Sequence, residues 1–158
     1  MADDILQSDN TQPSAKIIAI VEDDPQLAGL FRDALKDHAH WHLTFFHDGQ
    51  QALQHIPQLQ PDLILLDIGL PNLDGAALYK ILRGHNSTRH TPIIVITGRH
   101  DWQLHRMGLH TGLFVRKPFR LSELLFIMRV HLDETPPDLA SPADDQTIAP
   151  RIIPYRAP

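Results

Sequence analysis

Cysteine is absent from this 158-residue chain. The absence excludes disulfide frameworks, catalysis by a thiolate and zinc sites built from cysteine. A chain without cysteine fits a reducing compartment, so we expect a cytoplasmic location.

Positive charge and long apolar runs are also scarce. The chain has 14 Lys and Arg against 19 Asp and Glu, with a net charge of -5. This balance gives no basic footprint for nucleic acid phosphates or anionic lipid. No apolar run approaches the roughly 20 residues that cross a bilayer, and the acidic residues 1–4 begin no signal peptide. We therefore expect a soluble protein with neither membrane insertion nor direct nucleic acid binding.

The length and the 42% hydrophobic content suit one compact domain. Residues 1–14 are polar, and residues 134–158 are rich in Pro, Ala and Asp. These ends are predicted to be flexible tails or linkers around a domain at 15–133. Because Ile152, Ile153 and Tyr155 lie among prolines, docking of the C-terminal tail on its own domain or on a partner is the alternative to disorder.

Short apolar runs alternate with amphipathic stretches inside this domain. The candidate strands are 17–21, 43–46, 63–66, 93–96 and 113–115. The third and fourth runs lack alternation, as expected of parallel strands covered on both faces. The stretches after the runs have helical spacing; the fourth helix is expected near 101–107, and Ser122 is expected to cap the fifth. The fold class is thus α/β, a doubly wound five-stranded parallel sheet flanked by five helices.

Polar side chains follow four of these strands, and in such a sheet the functional site lies beyond the carboxyl ends of the strands. They are Glu22, Asp23 and Asp24 after the first strand, Asp67 after the third, Thr97 after the fourth and Lys117 after the fifth. Crowded carboxylates repel one another unless a cation takes up their charge, and oxygen ligands suit Mg²⁺. From this chemistry, Asp23 and Asp67 are predicted to bind the ion directly. Asp24 precedes Pro25, so the acidic triplet also has a structural interpretation as a helix N-cap.

Asp67 is the candidate nucleophile, because a lone carboxylate at the end of an apolar run gains little structurally. A carboxylate can attack a phosphoryl group if the charge on the transferring oxygens is neutralised. Mg²⁺ and Lys117 can share that work. Thr97 adds a hydroxyl donor, and Gly98 leaves room for the phosphodonor.

Five motifs in order carry a family resemblance. They are Ile17-Ile18-Ala19-Ile20-Val21-Glu22-Asp23-Asp24, Pro61-Asp62-Leu63-Ile64-Leu65-Leu66-Asp67, Leu70-Pro71-Asn72-Leu73-Asp74-Gly75, Ile96-Thr97-Gly98 and Lys117-Pro118-Phe119. With this order and spacing, residues 16–133 resemble the response-regulator receiver family of two-component signalling. The resemblance implies a flavodoxin-like receiver fold with strand order 2-1-3-4-5 and a cis bond before Pro118.

The resemblance also implies roles for individual residues. Asp67 would be the phosphoacceptor, Glu22 and Asp23 the acidic pair that holds Mg²⁺, and the Gly69 carbonyl a further ligand. Lys117 would pair with the bound phosphoryl group. The switch pair would be Thr97 and Phe114.

Partners and regulation follow from the same resemblance. A histidine kinase or histidine phosphotransfer protein would donate the phosphoryl group, and a downstream protein target or a phosphorylation-dependent homodimer would read the altered surface. The domain would catalyse only its own phosphorylation and dephosphorylation. The loop before Phe114 is shorter than is usual in the family, on the face used for output. Gly69 would leave the aspartyl phosphate open to water, whereas Arg99 would screen it.

Other functions fit these residues less well. A haloacid-dehalogenase-like phosphatase needs a second Asp where Gly69 stands, and a flavodoxin-like cofactor site would not place acidic residues in its first loop. A phosphorylation-independent interaction module and a fragment of a larger regulator or hybrid kinase remain as alternatives. His38, His40 and His42 alternate around Trp41; a polar link between helix 1 and strand 2 is preferred there over a transition-metal site.

Overall fold

The computed structural model describes residues 14–109 and 112–134 and the backbone strand at 152–153. The strands are β1 (Lys16–Val21), β2 (Trp41–Phe46), β3 (Leu63–Asp67), β4 (Ile93–Thr97), β5 (Gly112–Arg116) and β6 (Ile152–Ile153). The helices are α1 (Pro25–Leu35), α2 (Gly49–Leu59), α3 (Gly75–Gly84), α4 (Asp101–Arg106) and α5 (Leu121–His131).

The six strands form one sheet in the order β2-β1-β3-β4-β5-β6. The first five are parallel, which confirms the predicted doubly wound sheet and its strand order. β6 was not predicted; its residues, Ile152 and Ile153, belong to the tail for which disorder was preferred, and at these two residues the alternative of docking on the domain is found instead. It runs antiparallel along β5, with Gly112 opposite Ile153 and Leu113 opposite Ile152. The rest of the C-terminal tail and residues 1–13 lie outside the described residues, so the prediction of flexible tails stays a prediction there.

Helices cover both faces of the sheet and bury two apolar clusters. One cluster lies between the sheet and helices α1 and α5, and includes Phe31, Leu35, Leu124 and Met128. The other lies under α2, α3 and α4, and includes Ala52, Ile56, Leu78, Leu82 and Leu104. Every residue of β3 and β4 is buried, which explains why these two strands lack apolar alternation in the sequence.

Strand β2 begins at Trp41, two residues before the predicted run. The polar link predicted between α1 and β2 therefore ends at His40. The Trp41 side chain is only 6% exposed, whereas His42 beside it is exposed. The polar residues that alternate around Trp41 made the start of β2 look like a loop in the sequence, although the Trp41 side chain packs in the core.

Glu134 holds the chain that follows α5 against the start of β2. Its Oε1 accepts a hydrogen bond from the indole Nε1 of Trp41 at 2.6 Å and lies 2.8 Å from Nε2 of His40. The His38 ring packs on Trp41 with centroids 4.1 Å apart, and its Nε2 lies 3.0 Å from the Arg129 guanidinium. Burial lowers the pKa of His38, and the positive charge of Arg129 lowers it further. This cluster lies at the end of the sheet opposite the carboxyl ends of the parallel strands.

Aspartates begin the first three helices, each by accepting a backbone N–H with its Oδ1. Asp24 accepts from Gln26 at 2.8 Å, Asp48 from Gln51 at 2.7 Å and Asp74 from Ala76 at 2.8 Å. The structural interpretation of Asp24 is therefore confirmed, since it caps α1.

The predicted cap at Ser122 is wrong. Helix α5 already begins at Leu121, with Arg120 in the N-cap position and no side-chain cap hydrogen bond. A capping residue must keep an extended backbone, and Ser122 lies within the first turn instead.

Candidate functional site

Asp67 is the last residue of β3, and its side chain lies at the carboxyl edge of the sheet. The residue is 9% exposed. Its Oδ2 accepts a hydrogen bond from Lys117 Nζ at 2.9 Å, and its Oδ1 accepts one from the Gly69 N–H at 3.1 Å. Lys117 directly follows β5, so strands β3 and β5 bring opposite charges together from residues 50 positions apart in the chain.

Glu22 and Asp23 lie beside Asp67. One carboxylate oxygen from each of the three residues lies within 4.8 Å of the others. Glu22 is almost fully buried, and its Oε1 accepts the Asp24 N–H at 3.1 Å. Its Oε2 is buried 3.6 Å from Lys117 Nζ, and none of the residues that the structure describes donates a hydrogen bond to it. The predicted acidic pair and the predicted phosphoacceptor are therefore brought together, while Asp24 points to its own helix.

The charges of this cluster shift two pKa values. Burial raises the pKa of Glu22 to about 7; the Asp24 N–H opposes the rise, and the negative charge of Asp67 adds to it. Burial alone would lower the pKa of Lys117, but its hydrogen bond to Asp67 and the charges of Asp67 and Glu22 outweigh burial and raise it. One ammonium group is thus shared among more carboxylates than it can neutralise.

The donor set suits a hard divalent cation. Carboxylate oxygens are the ligands that Mg²⁺ prefers, and the buried Oε2 of Glu22 has an unused lone pair beside the other two carboxylates. Because uncompensated buried charge is costly, a cation at this position would satisfy both the orphaned oxygen and the excess negative charge.

Thr97 ends β4 and is 2% exposed. Its Oγ1 accepts the Arg99 N–H at 3.0 Å, and its carbonyl accepts the Lys117 N–H at 2.8 Å. The ends of β4 and β5 are therefore joined next to Asp67. The bond between Lys117 and Pro118 is cis, as the resemblance implied.

Phe114 is partly buried and packs on the apolar cluster under α2, α3 and α4. A Cβ placed on Gly112 would lie 3.1 Å from the Tyr79 hydroxyl and 3.3 Å from Cε2 of Phe114. A side chain at residue 112 would therefore crowd the ring of Phe114, the predicted switch residue. His110 and Thr111, in the loop predicted to be short, lie outside the described residues.

Gly75 is a positioning residue that the sequence reasoning missed. A Cβ there would overlap the Asp67 carbonyl oxygen and lie 2.7 Å from the Ile68 Cα. The Gly75 N–H also donates to the Ile68 carbonyl at 3.1 Å. Helix α3 can therefore begin directly against the backbone of Asp67 only because residue 75 has no side chain. In the sequence, the Asp74-Gly75 pair indicates a close approach of two backbone segments, but it does not identify the Asp67 backbone as the other segment.

Comparison with known proteins identifies one family for this chain. The family model described as response regulator receiver domain matches residues 18–129. The chain belongs to this family of two-component signalling domains. None of the helices formed by the described residues combines the length and hydropathy of a membrane span.

Curated relatives are longer than this chain. The DNA-binding response regulator MtrA of Mycolicibacterium smegmatis is 32% identical over 138 residues, covering 84% of this chain and 59% of the relative. The response regulator MprA of Mycobacterium tuberculosis is 35% identical over 126 residues, covering 78% and 54%. The chain thus spans little more than half the length of these relatives.

Solved structures support the same fold. The receiver domain of a sensor histidine kinase from Pseudomonas aeruginosa, crystallised with a magnesium ion coordinated in its active site cleft, is 28% identical. It covers 77% of this chain and 100% of its own, with a TM-score of 0.69. The BeF3-activated receiver domain of RstA from Klebsiella pneumoniae is 31% identical, covers 75% and 99%, and has a TM-score of 0.65.

We predict that Gly75→Ala destabilises the domain, because the new Cβ overlaps the Asp67 backbone. The expected loss in the free energy of unfolding is about 1–3 kcal/mol, the usual cost of overpacking. Urea unfolding followed by circular dichroism measures it.

Gly29→Ala is the matched control, since outside the local backbone of α1 no described atom lies within 4 Å of a Cβ at this helical glycine. It should stabilise the protein by about 0.5–1 kcal/mol. Equal stabilities of the two variants would contradict a close approach at Gly75.

Proposed function

We propose that this receiver domain accepts a phosphoryl group on Asp67 in a reaction that requires Mg²⁺, and that the modification switches a protein-binding surface. The observation that supports it most is the position of the Asp67 carboxylate, 2.9 Å from Lys117 Nζ and beside the acidic pair Glu22 and Asp23. A nucleophile, a cationic partner and a cation-binding donor set meet at one point.

In the proposed reaction, a carboxylate oxygen of Asp67 forms a bond to phosphorus while the bond from phosphorus to the donor's leaving atom breaks. Lys117 turns its ammonium group to a phosphoryl oxygen, and the Thr97 hydroxyl donates to another. Glu22, Asp23, Asp67 and the Gly69 carbonyl are the proposed ligands of Mg²⁺. When bound, the ion neutralises charge on the carboxylates and the transferring oxygens.

Thr97 and Phe114 are the proposed switch pair. Phosphorylation favours one of two conformations of the domain through new contacts to Thr97 and Lys117. The Phe114 ring then changes its packing on the surface beside α4 and β5. A downstream protein or a second copy of the domain reads that change.

A histidine kinase or a histidine phosphotransfer protein is the proposed donor for a domain at 15–133. Receiver domains occur both in response regulators such as MtrA and in a sensor histidine kinase such as that of Pseudomonas aeruginosa. A fragment of a larger regulator or hybrid kinase therefore remains a second candidate. An interaction module that is never phosphorylated is less favoured, because Asp23, Asp67, Thr97 and Lys117 all lie together at the strand ends.

Phosphorylation of Asp67 is tested with Mg²⁺ and acetyl phosphate. We expect wild type to gain the mass of one phosphoryl group, in a form stable to acid and labile to base, and Asp67→Asn to gain none. Intact-protein mass spectrometry measures the modified fraction.

Asp62→Asn provides the control for this assay. Asp62 is exposed at the opposite end of β3, where its Oδ2 accepts the Ile17 N–H at 2.7 Å. This variant should be modified like wild type. Absence of modification in wild type, or equal modification of Asp67→Asn, would exclude the proposed function.

Binding of Mg²⁺ is predicted to weaken as the pH falls, because the ion must displace a proton from Glu22, whose pKa is about 7. Competition with this proton weakens binding by roughly tenfold between pH 8 and pH 6. In the metal-free protein, the contribution of Glu22 to folding stability depends on pH in the opposite direction, because it falls as the pH rises. The Glu22 pKa is raised above 4.5, so its contribution to stability is present below pH 4.5 and is lost as pH rises through about 7.

Titration calorimetry at pH 6, 7 and 8 measures this dependence. Glu22→Gln should bind Mg²⁺ more weakly, with little change in affinity across this range. Asp24→Asn preserves a good helix cap and should keep the pH dependence of wild type. A tenfold dependence that persists in Glu22→Gln would assign it to another group.

The lifetime of the phosphorylated form is predicted to depend on Arg99 and Gly69. A Cβ on Gly69 would lie 3.9 Å from both Asp67 oxygens, in ordinary contact. Gly69→Asn should therefore shield the phosphoryl group and slow hydrolysis, whereas Arg99→Ala should hasten it. A threefold change corresponds to about 0.6 kcal/mol in the barrier.

The decay of the phosphorylated fraction after removal of the donor measures this lifetime. Arg106→Ala removes an exposed arginine on α4 instead and should leave the decay unchanged. Identical decay in Arg99→Ala and wild type would remove screening by Arg99.

A further inference from the structure

Strand β5 ends the parallel part of the sheet, and its outer edge carries backbone N–H and C=O groups that β4 does not pair. Such an edge accepts strands from other chains unless it is covered. In this protein β6 covers part of it, with Ile152 opposite Leu113 and Ile153 opposite Gly112. The strand comes from the C-terminal segment of the same chain.

We propose that the outer edge of β5 is a strand-docking surface that the Ile152–Ile153 segment closes within the same molecule. The occupant it accepts is an extended apolar segment that adds to the sheet through its main chain. Two adjacent isoleucines have the high β-propensity that such a strand needs. The contact therefore acts as a built-in cover that keeps other strands from the edge.

The sequence limits how long this cover is. Pro150 and Pro154 flank Arg151, Ile152 and Ile153, and proline cannot donate to a strand ladder. The docked strand is consequently short, so it can exchange with a competing strand more readily than a long one.

Closure within one molecule is favoured over closure by a second copy. Residues 135–151 separate Glu134 from the strand, and a chain of this length reaches up to ~55 Å at about 3.3 Å per residue. A domain of this size is only ~35 Å across. A tethered segment has an effective concentration near the millimolar range, well above that of free chains in a dilute sample.

The covered edge belongs to the strand that leads into the candidate site. β5 carries Phe114, and Lys117 follows it to contact Asp67. A strand that replaced β6 would therefore pair directly with the element that links Asp67 to the surface of the domain.

Engineered cysteines test the pairing in the full chain, since the protein has no cysteine of its own. Opposed residues of antiparallel strands lie about 4.5–5.5 Å apart at Cα, within the range of a disulfide. The double variant Leu113→Cys with Ile152→Cys should therefore form an intramolecular disulfide under mild oxidation. The control, Leu113→Cys with Ile153→Cys, is one residue out of register and should react several-fold more slowly.

Non-reducing electrophoresis and peptide mass spectrometry identify the product. A monomeric cross-link at 113–152 supports the proposal. A cross-link mainly between chains would overturn closure within one molecule, and equal rates for the two variants would overturn the pairing. Thermal unfolding under reducing conditions verifies that both variants fold. No phosphodonor is used, so the outcome is independent of whether Asp67 is phosphorylated.

Discussion

The crowding of carboxylates around one lysine is the constraint on which the site depends. Glu22, Asp23 and Asp67 bring three potential negative charges together, and Lys117 offers one positive charge in return. The charges of this cluster are poorly balanced, as the raised pKa of Glu22 shows. Because of this imbalance, a proton, a cation or a change in covalent state at Asp67 alters the energy of the cluster more than a similar change would in water.

The fold supplies this crowding at little structural cost. Parallel strands deliver their last residues to the same edge, so β1, β3, β4 and β5 each place polar groups there without interrupting the two apolar clusters. The helices that follow contribute their first turns. Asp24 caps α1 instead of joining the acidic cluster, and Gly75 lets α3 begin against the Asp67 backbone. The start of α3 at Gly75 thus holds the Asp67 backbone in place, while the exposed Gly69 leaves space next to the Asp67 carboxylate.

Sequence periodicity was sufficient to predict the five parallel strands and their helices, because β3 and β4 are uninterrupted apolar runs. The candidate site could be predicted because its polar residues follow the ends of the strands. Periodicity failed where a contact joins distant residues. The start of β2 at Trp41 depends on Glu134, more than 90 positions away, and the polar histidines around Trp41 gave no sign of it. Ser122 had the right residue type for a cap, but the N-cap of α5 is Arg120, two residues earlier. Two isoleucines between prolines are too few to predict a strand, since their partner is an edge of the completed sheet.

The hydrogen bond from the Arg99 N–H to Thr97 Oγ1 joins two residues of one turn. Because this bond is local, it ties the position of the Arg99 backbone to that of the Thr97 side chain. The next residue, His100, is the N-cap of α4, and Asp101, the first residue of that helix, forms an ion pair with Arg116 at the end of β5. Within the five residues from Thr97 to Asp101, the chain thus connects the hydroxyl at the end of β4 to a six-residue helix on the surface and, through Arg116, to the end of β5.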